Sequence, residues 1–172
     1  MIFISGVHGV GKTYFCEKLK AVVGIECYSA SQLIEQRKQI VFSTDKKIVD
    51  IGSNQNYLLE AVAELNEKNS FFVLDGHFCL LDREGTITRI PEQTFIDLQP
   101  EAVVLLTEKP EIIVERRMKR DGIRGDIEAI RRFQEEEMIY AKEMSDKIGI
   151  PLCISKGSED IESTINFIKN RR

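Results

Sequence analysis

Ile2-Phe3-Ile4-Ser5-Gly6-Val7-His8-Gly9-Val10-Gly11-Lys12-Thr13 joins a short apolar run to a turn that satisfies G-x-x-x-x-G-K-[ST] at every position. The context fits, because Phe15, Cys16, Leu19, Val22 and Val23 then recur at helical spacing before Gly24 closes the helix. Glycines let a backbone fold tightly and turn its N–H groups inward, and the helix N-terminus adds partial positive charge. Such a turn is suited to phosphate oxygens. Gly6, His8, Gly9, Val10, Gly11, Lys12, Thr13 and Tyr14 are the expected contacts to ATP. Lys12 can reach the β- and γ-phosphates, and Thr13 can ligate Mg²⁺. His8 reads as a side chain pointing out of the loop rather than as a catalytic group.

Outward from this turn, short apolar runs alternate with helical patterns. Residues 25–28, 71–74, Ala102–Leu106 and 151–154 read as further strands, five with the first. Between them lie stripes at Leu58, Ala61, Val62 and Leu65, from Pro110 toward Arg120, and at Ile161, Ile165 and Ile168. The longest stripe is Ile127, Ile130, Phe133, Met138, Ala141, Met144 and Ile148. Ser29-x-x-Gln32 fits a capping box that opens another helix. Continuous apolar strands in alternation with helices predict an α/β, three-layer α/β/α fold around a five-stranded parallel sheet. Ligands of such sheets bind beyond the C-terminal ends of the strands, so the residues that follow each strand carry the chemistry.

At 172 residues the chain suits one domain spanning 1–172. No apolar run approaches the roughly 20 residues that cross a bilayer. Gly6 ends the first apolar run, and no basic segment precedes it, so a signal peptide is not expected and the cytoplasm is. The formal charge of −4 argues against a nucleic-acid coat protein. Cys16, Cys27, Cys79 and Cys153 form no CxxC and read as reduced, buried thiols.

Asp75-Gly76-His77 follows the third run. An acid there can hold a Mg²⁺-bound water or orient an acceptor oxygen, so Asp75 is a candidate catalytic and metal residue. His77 can bind a substrate phosphate or assist Asp75. Asp82-Arg83-Glu84-Gly85 reads as the turn of a small hairpin, which would present Arg83 and Arg89 to an anionic acceptor or to solvent. Residues 116–132 concentrate seven basic side chains against three acids around Gly122 and Gly125. Arginines beside a flexible bend suit a flap that closes on phosphates, with Arg116 on ATP and Arg120 and Arg124 on the transferring group. Arg131 and Arg132 read instead as partners of Glu135–Glu137 along one helix. Ser155-Lys156-Gly157-Ser158 reads as a loop able to hold a nucleobase.

Taken together, these residues resemble the P-loop nucleoside monophosphate kinases, and most closely the archaeal and atypical adenylate kinases, over essentially the whole chain. The Asp75-x-His77 pair is similar to that family's D-x-H element. Arg116-Arg117-x-x-Arg120, with Asp126-Ile127 and Phe133-Gln134-Glu135-Glu136, is similar to its lid-edge helix and the helix after it. The resemblance implies a P-loop NTPase fold with a helical acceptor-binding segment around 29–69 and a short lid around 120–126. It implies transfer from ATP·Mg to a nucleoside monophosphate. Two departures leave the acceptor open. Glu35 stands where the family places a phosphate-binding arginine, the nearest being Arg37, and Asp75-Gly76 does not lead into Phe-Pro-Arg. Ser29, Ser31, Gln32 and Arg37 are the acceptor candidates, with helix capping the other reading of the first three and Gln55 a weaker addition.

Two further classes compete. A slow P-loop ATPase acting as a switch or assembly factor would need a sensor region or partner-binding tail, and no segment reads as one. A kinase of a small metabolite differs only in its acceptor. No feature singles out a protein partner, and the charge balance disfavours a polynucleotide kinase.

Overall fold

The sheet forms on short, mostly apolar runs. The structure, a computed structural model, describes residues 1–44, 53–68, 71–82, 85–122 and 124–172. Five strands, β1 (Ile2–Ser5), β2 (Cys27–Ser29), β3 (Val73–Asp75), β6 (Ala102–Leu106) and β7 (Leu152–Ser155), pair in parallel in the order β2-β3-β1-β6-β7. A separate antiparallel hairpin joins β4 (Cys79–Leu81) to β5 (Ile87–Arg89). Every residue of β1 and β6 is buried, as expected of inner strands covered on both faces.

The covering helices are α1 (Lys12–Val23), α2 (Ala30–Thr44), α3 (Ser53–Lys68), α4 (Glu92–Leu98), α5 (Pro110–Asp121), α6 (Ile127–Ile148) and α7 (Ile161–Lys169). Their ends follow local chemistry. Pro110 occupies the first turn of α5, where its missing N–H costs nothing. Asp126 caps α6 by accepting from the Glu128 N–H at 2.9 Å. Among the described residues, no helix is long and apolar enough to cross a membrane.

Strand order positions the site. β1 lies between β3 and β6, with Ile4 in register with Asp75 on one side and Val104 on the other. The chain therefore leaves β1 at the point where the strand order reverses, and the crevice opens at the carboxyl ends. Its floor is aromatic. Phe78 stacks on Phe95 with centroids 4.5 Å apart, and the Phe3 ring meets Phe78 edge-on at 5.2 Å.

Several expectations change in detail. β3 and β7 extend one residue beyond their predicted runs, so Asp75 is the last residue of its strand rather than the first after it. Helix α4 was not expected, and it places Phe95 and Leu98 in the core. Val22 is 66 % exposed, because only Phe15 and Leu19 of its stripe reach the interior fully. Glu137 is not a surface partner for Arg131 or Arg132: it is 1 % exposed, and Arg131 pairs with Glu128.

Candidate active site

Leaving β1, the chain passes backbone that only glycine can approach. Gly6 has φ +144°, and a Cβ there would lie 2.6 Å from the Leu106 carbonyl oxygen at the end of β6. Gly9 has φ +87°, and its Cβ would stand 2.8 Å from Cγ of Arg117, whose stem crosses the loop. Val7 and Val10 are buried and fasten the turn from inside. The result is a concave backbone ahead of the N-terminus of α1.

Lys12 is 9 % exposed, with its ammonium spanning the crevice. Its Nζ donates to the Gly6 carbonyl at 2.6 Å and lies 3.4 Å from His77 Nε2 and 3.9 Å from Asp75 Oδ1. Burial lowers its pKa, and the Asp75 and Glu137 carboxylates oppose that shift. Burial raises the Asp75 carboxyl, against the pull of Lys12.

His77 is driven down to about 2 by burial, the Lys12 charge and His8, whose ring lies 4.3 Å away. It is therefore neutral at physiological pH. An ammonium can only donate, so the Lys12 contact favours the tautomer in which Nε2 accepts and Nδ1 carries the proton. Nδ1 is buried and has no hydrogen-bond partner. Asp75 Oδ1 and Gln55 Oε1 are likewise buried without hydrogen-bond partners. All three residues line one cavity of about 760 Å³. Buried polar atoms are nearly always satisfied, so three orphans around one space make it the candidate ligand site.

That cavity is continuous from Gly9, Gly11, Lys12 and Thr13 to a chamber walled by Leu58 of α3 and Phe95 and Leu98 of α4. Ser29, Ser31 and Gln55 add polar groups to the chamber, and Leu80 and Ile90 flank it from the hairpin. The last turns of α5 bring Arg116, Lys119 and Arg120 to the same cavity, Arg116 beside the Gly6–Thr13 turn. Arg116 donates to the Val10 carbonyl at 2.8 Å and pairs with Glu108 at 3.0 Å. Arg120 makes two 2.8 Å contacts to Asp121, an exposed pairing that water screens.

The cavity thus brings together His8, Gly9, Gly11, Lys12, Thr13, Tyr14, Ser29, Ser31, Asp75, His77, Arg116 and Arg120. Gly6 and Val10 act through their carbonyls, on Lys12 and Arg116. Other candidates lie apart. Gln32 and Arg37 line a smaller hollow between α2 and α3, where Arg37 pairs with Glu60 and Glu64. Arg89 is held by Glu136 and Glu143, both at 2.6 Å, and lies over the Tyr140 ring at 4.6 Å. Arg124 is exposed and is not among the cavity's described lining residues. Arg83, residues 45–52 and 69 of the acceptor segment, and residue 123 of the lid fall outside the described residues.

Sequence reasoning missed Lys119, α4 and Glu137. Lys119 stood within the basic cluster. Thr94, Phe95 and Leu98 sit at helical spacing after Pro91, a short signal. Glu137 accepts hydrogen bonds from the Phe78 N–H at 2.9 Å, the Cys79 N–H at 2.7 Å and the Ser5 hydroxyl. Burial raises its pKa, and those three donors oppose the rise.

The family model described as "AAA domain" matches residues 5–134. A Methanocaldococcus jannaschii protein named "Putative adenylate kinase" is 24 % identical over 173 residues, covering 98 % of this chain and 80 % of that one. Shikimate kinase from Bacteroides thetaiotaomicron superposes with a TM-score of 0.58 at 16 % identity, covering 99 % of this chain and 96 % of that one. Deoxyadenosine kinase from M. mycoides, solved with dCMP and dCDP, gives 0.53 at 17 % identity, covering 99 % and 97 %. The fold is that of the P-loop kinases.

Proposed function

The chain belongs to the AAA domain family, and from that premise we propose that it is a phosphotransferase carrying the γ-phosphoryl group of ATP to a nucleoside monophosphate. One observation carries the reading: the Gly9–Thr13 turn and residues of α3 and α4 line a single cavity, whose lining also includes Lys12, Asp75 and His77, with Lys12 Nζ 3.4 Å from His77 and 3.9 Å from Asp75. A phosphate turn alone would serve a switch; a second chamber opening onto the same reacting position suits an acceptor.

The residues present fit ATP and Mg²⁺. Gly6 and Gly9 hold positive-φ backbone packed against the Leu106 carbonyl and the Arg117 stem, Gly9, Gly11, Lys12 and Thr13 line the cavity, and Asp75 lines it too with an unsatisfied Oδ1. Thr13 and Asp75, directly or through water, would hold Mg²⁺, which would supply positive charge against the phosphate oxygens. Loop N–H groups bind the phosphates, and Lys12 exchanges the Gly6 carbonyl for their oxygens. Neutral His77 donates from Nδ1 to an acceptor oxygen and orients it in line with the γ-phosphorus. Arg116 binds the ATP phosphates, Arg120 meets charge that builds on the transferring group, and Arg124 joins it when the 120–126 lid closes. Ser29, Ser31 and Gln55 face the acceptor, held by the 29–69 segment. Apolar walls at Leu58 and Phe95 limit water, the competing nucleophile.

The test incubates the protein with ATP·Mg and a panel of ribo- and deoxynucleoside monophosphates, nucleosides and shikimate, with products resolved chromatographically. Growth of a nucleoside diphosphate alongside ADP supports the reading. Product from a nucleoside or shikimate moves the chain to another acceptor class. ADP with free phosphate, independent of acceptor, replaces the kinase by an ATPase.

A further inference from the structure

Helix α6 contributes one carboxylate to the interior, and no part of the proposed phosphoryl transfer uses it. Glu137 is 1 % exposed, in a row with the core residues Ile130, Phe133, Tyr140, Ala141 and Met144. A carboxylate at a core position is costly unless its oxygens are satisfied. Here they are. Oε1 accepts from the Ser5 hydroxyl and, at 2.9 Å, from the Phe78 N–H, while Oε2 accepts from the Cys79 N–H at 2.7 Å. The donors come from two different places. Ser5 is the last residue before the phosphate turn. Phe78 and Cys79 directly follow His77, where the chain leaves β3 for the hairpin.

We propose that Glu137 is a positioning residue that sets the distance between the phosphate turn and the Asp75–His77 segment. The inference rests on the phosphotransferase reading. β3 supplies a ladder bond to β1 as far as Gly76, whose N–H donates to the Ile4 carbonyl at 2.9 Å. Beyond Gly76 the chain departs from the sheet, and the Glu137 oxygens take its next two N–H groups after His77. The same carboxylate grips Ser5, so the two sides of the reacting position share one anchor. Glu137 touches neither ATP nor acceptor; it acts through where His77 and Lys12 stand.

Glu137→Gln preserves shape and removes one acceptor oxygen. Whichever way the amide is turned, its NH₂ faces a backbone N–H, of Phe78 or of Cys79, and that donor loses its partner. Misplacement of a reacting group by about 1 Å can cost on the order of a hundredfold. The expected result is a folded protein with kcat reduced roughly tenfold or more and an ATP KM within about twofold of wild type. The His77 imidazole ¹⁵N and ¹H resonances should move as well. Parallel loss of ATP affinity and kcat, or an unmoved His77 resonance in folded Glu137→Gln, overturns the positioning role. If Glu137→Gln does not fold, Ser5→Ala removes one donor and leaves both backbone bonds. It should lower kcat several-fold at constant ATP KM, and an unchanged kcat would overturn the proposal. Wild-type protein that transfers to no acceptor refutes the reading of function, and the His77 resonance then judges the positioning without turnover.

Discussion

Acid should weaken this protein through one imidazole, and the size of the effect follows from its surroundings. His77 has an ordinary value near 6.5 when unfolded and is driven down to about 2 when folded. In the native state it stays neutral, while the unfolded chain takes up a proton below pH 6.5. The contribution is complete above the unfolded value and is lost as pH falls toward the folded one. At pH 5 the unfolded group is about 1.5 units past its midpoint, and each unit is worth about 1.4 kcal/mol, so the loss is about 2 kcal/mol. Any folded value below about 4 gives the same figure, because the native imidazole is then still neutral at pH 5. For a chain of this length that is about 4–8 °C in Tm. Asp75 and Glu137, raised by burial, respond to acid with the opposite sign, and His8 with the same sign. His77→Gln cancels these shared terms. Urea unfolding of both proteins between pH 7.5 and 5 should show the wild type losing about 2 kcal/mol more stability than the variant as pH falls. Parallel curves would refute the assignment of His77 as a buried neutral group held against Lys12.

Two substitutions separate the arginines that line the cavity from those that do not. Arg120→Ala should lower kcat by more than tenfold while changing ATP affinity little, since among the described residues it pairs with the exposed Asp121 and can turn to the transferring group; an effect confined to affinity in steady-state kinetics contradicts that role. Arg89→Ala should leave the acceptor KM unchanged and cost about 1 kcal/mol or less in urea melts, because its partners are half-exposed carboxylates and the Tyr140 ring; a raised acceptor KM would return Arg89 to the site.

The fold was legible because its signals are local. Residues of β1 and β6 are apolar without interruption, and the phosphate turn carries its ligand chemistry in eight consecutive residues. Asp75 and His77 could be found because the parallel sheet makes each strand end a place to look. Arg37 and Arg89 could not be placed, since nothing near them in sequence announces their partners. Glu136 and Glu143 lie 47 and 54 residues beyond Arg89, and the pairs form only once the hairpin rests on α6. Glu137 left a trace that periodicity alone misreads. The apolar stripe of α6 steps by five from Phe133 to Met138, and the acid fills the core position inside that gap. A carboxylate there looks like helix surface until the Phe78 and Cys79 N–H groups are seen to meet it.

The central claim is that the turn at Gly6–Thr13, with the Lys12 ammonium, grips the phosphates of ATP. Isothermal titration of the protein with ATP·Mg measures this directly. Saturable heat at one site per chain in the wild type, abolished in a Lys12→Ala protein that keeps its wild-type circular dichroism, is the expected result. A wild type that gives no heat, or a Lys12→Ala variant that binds as well as the wild type, would contradict it.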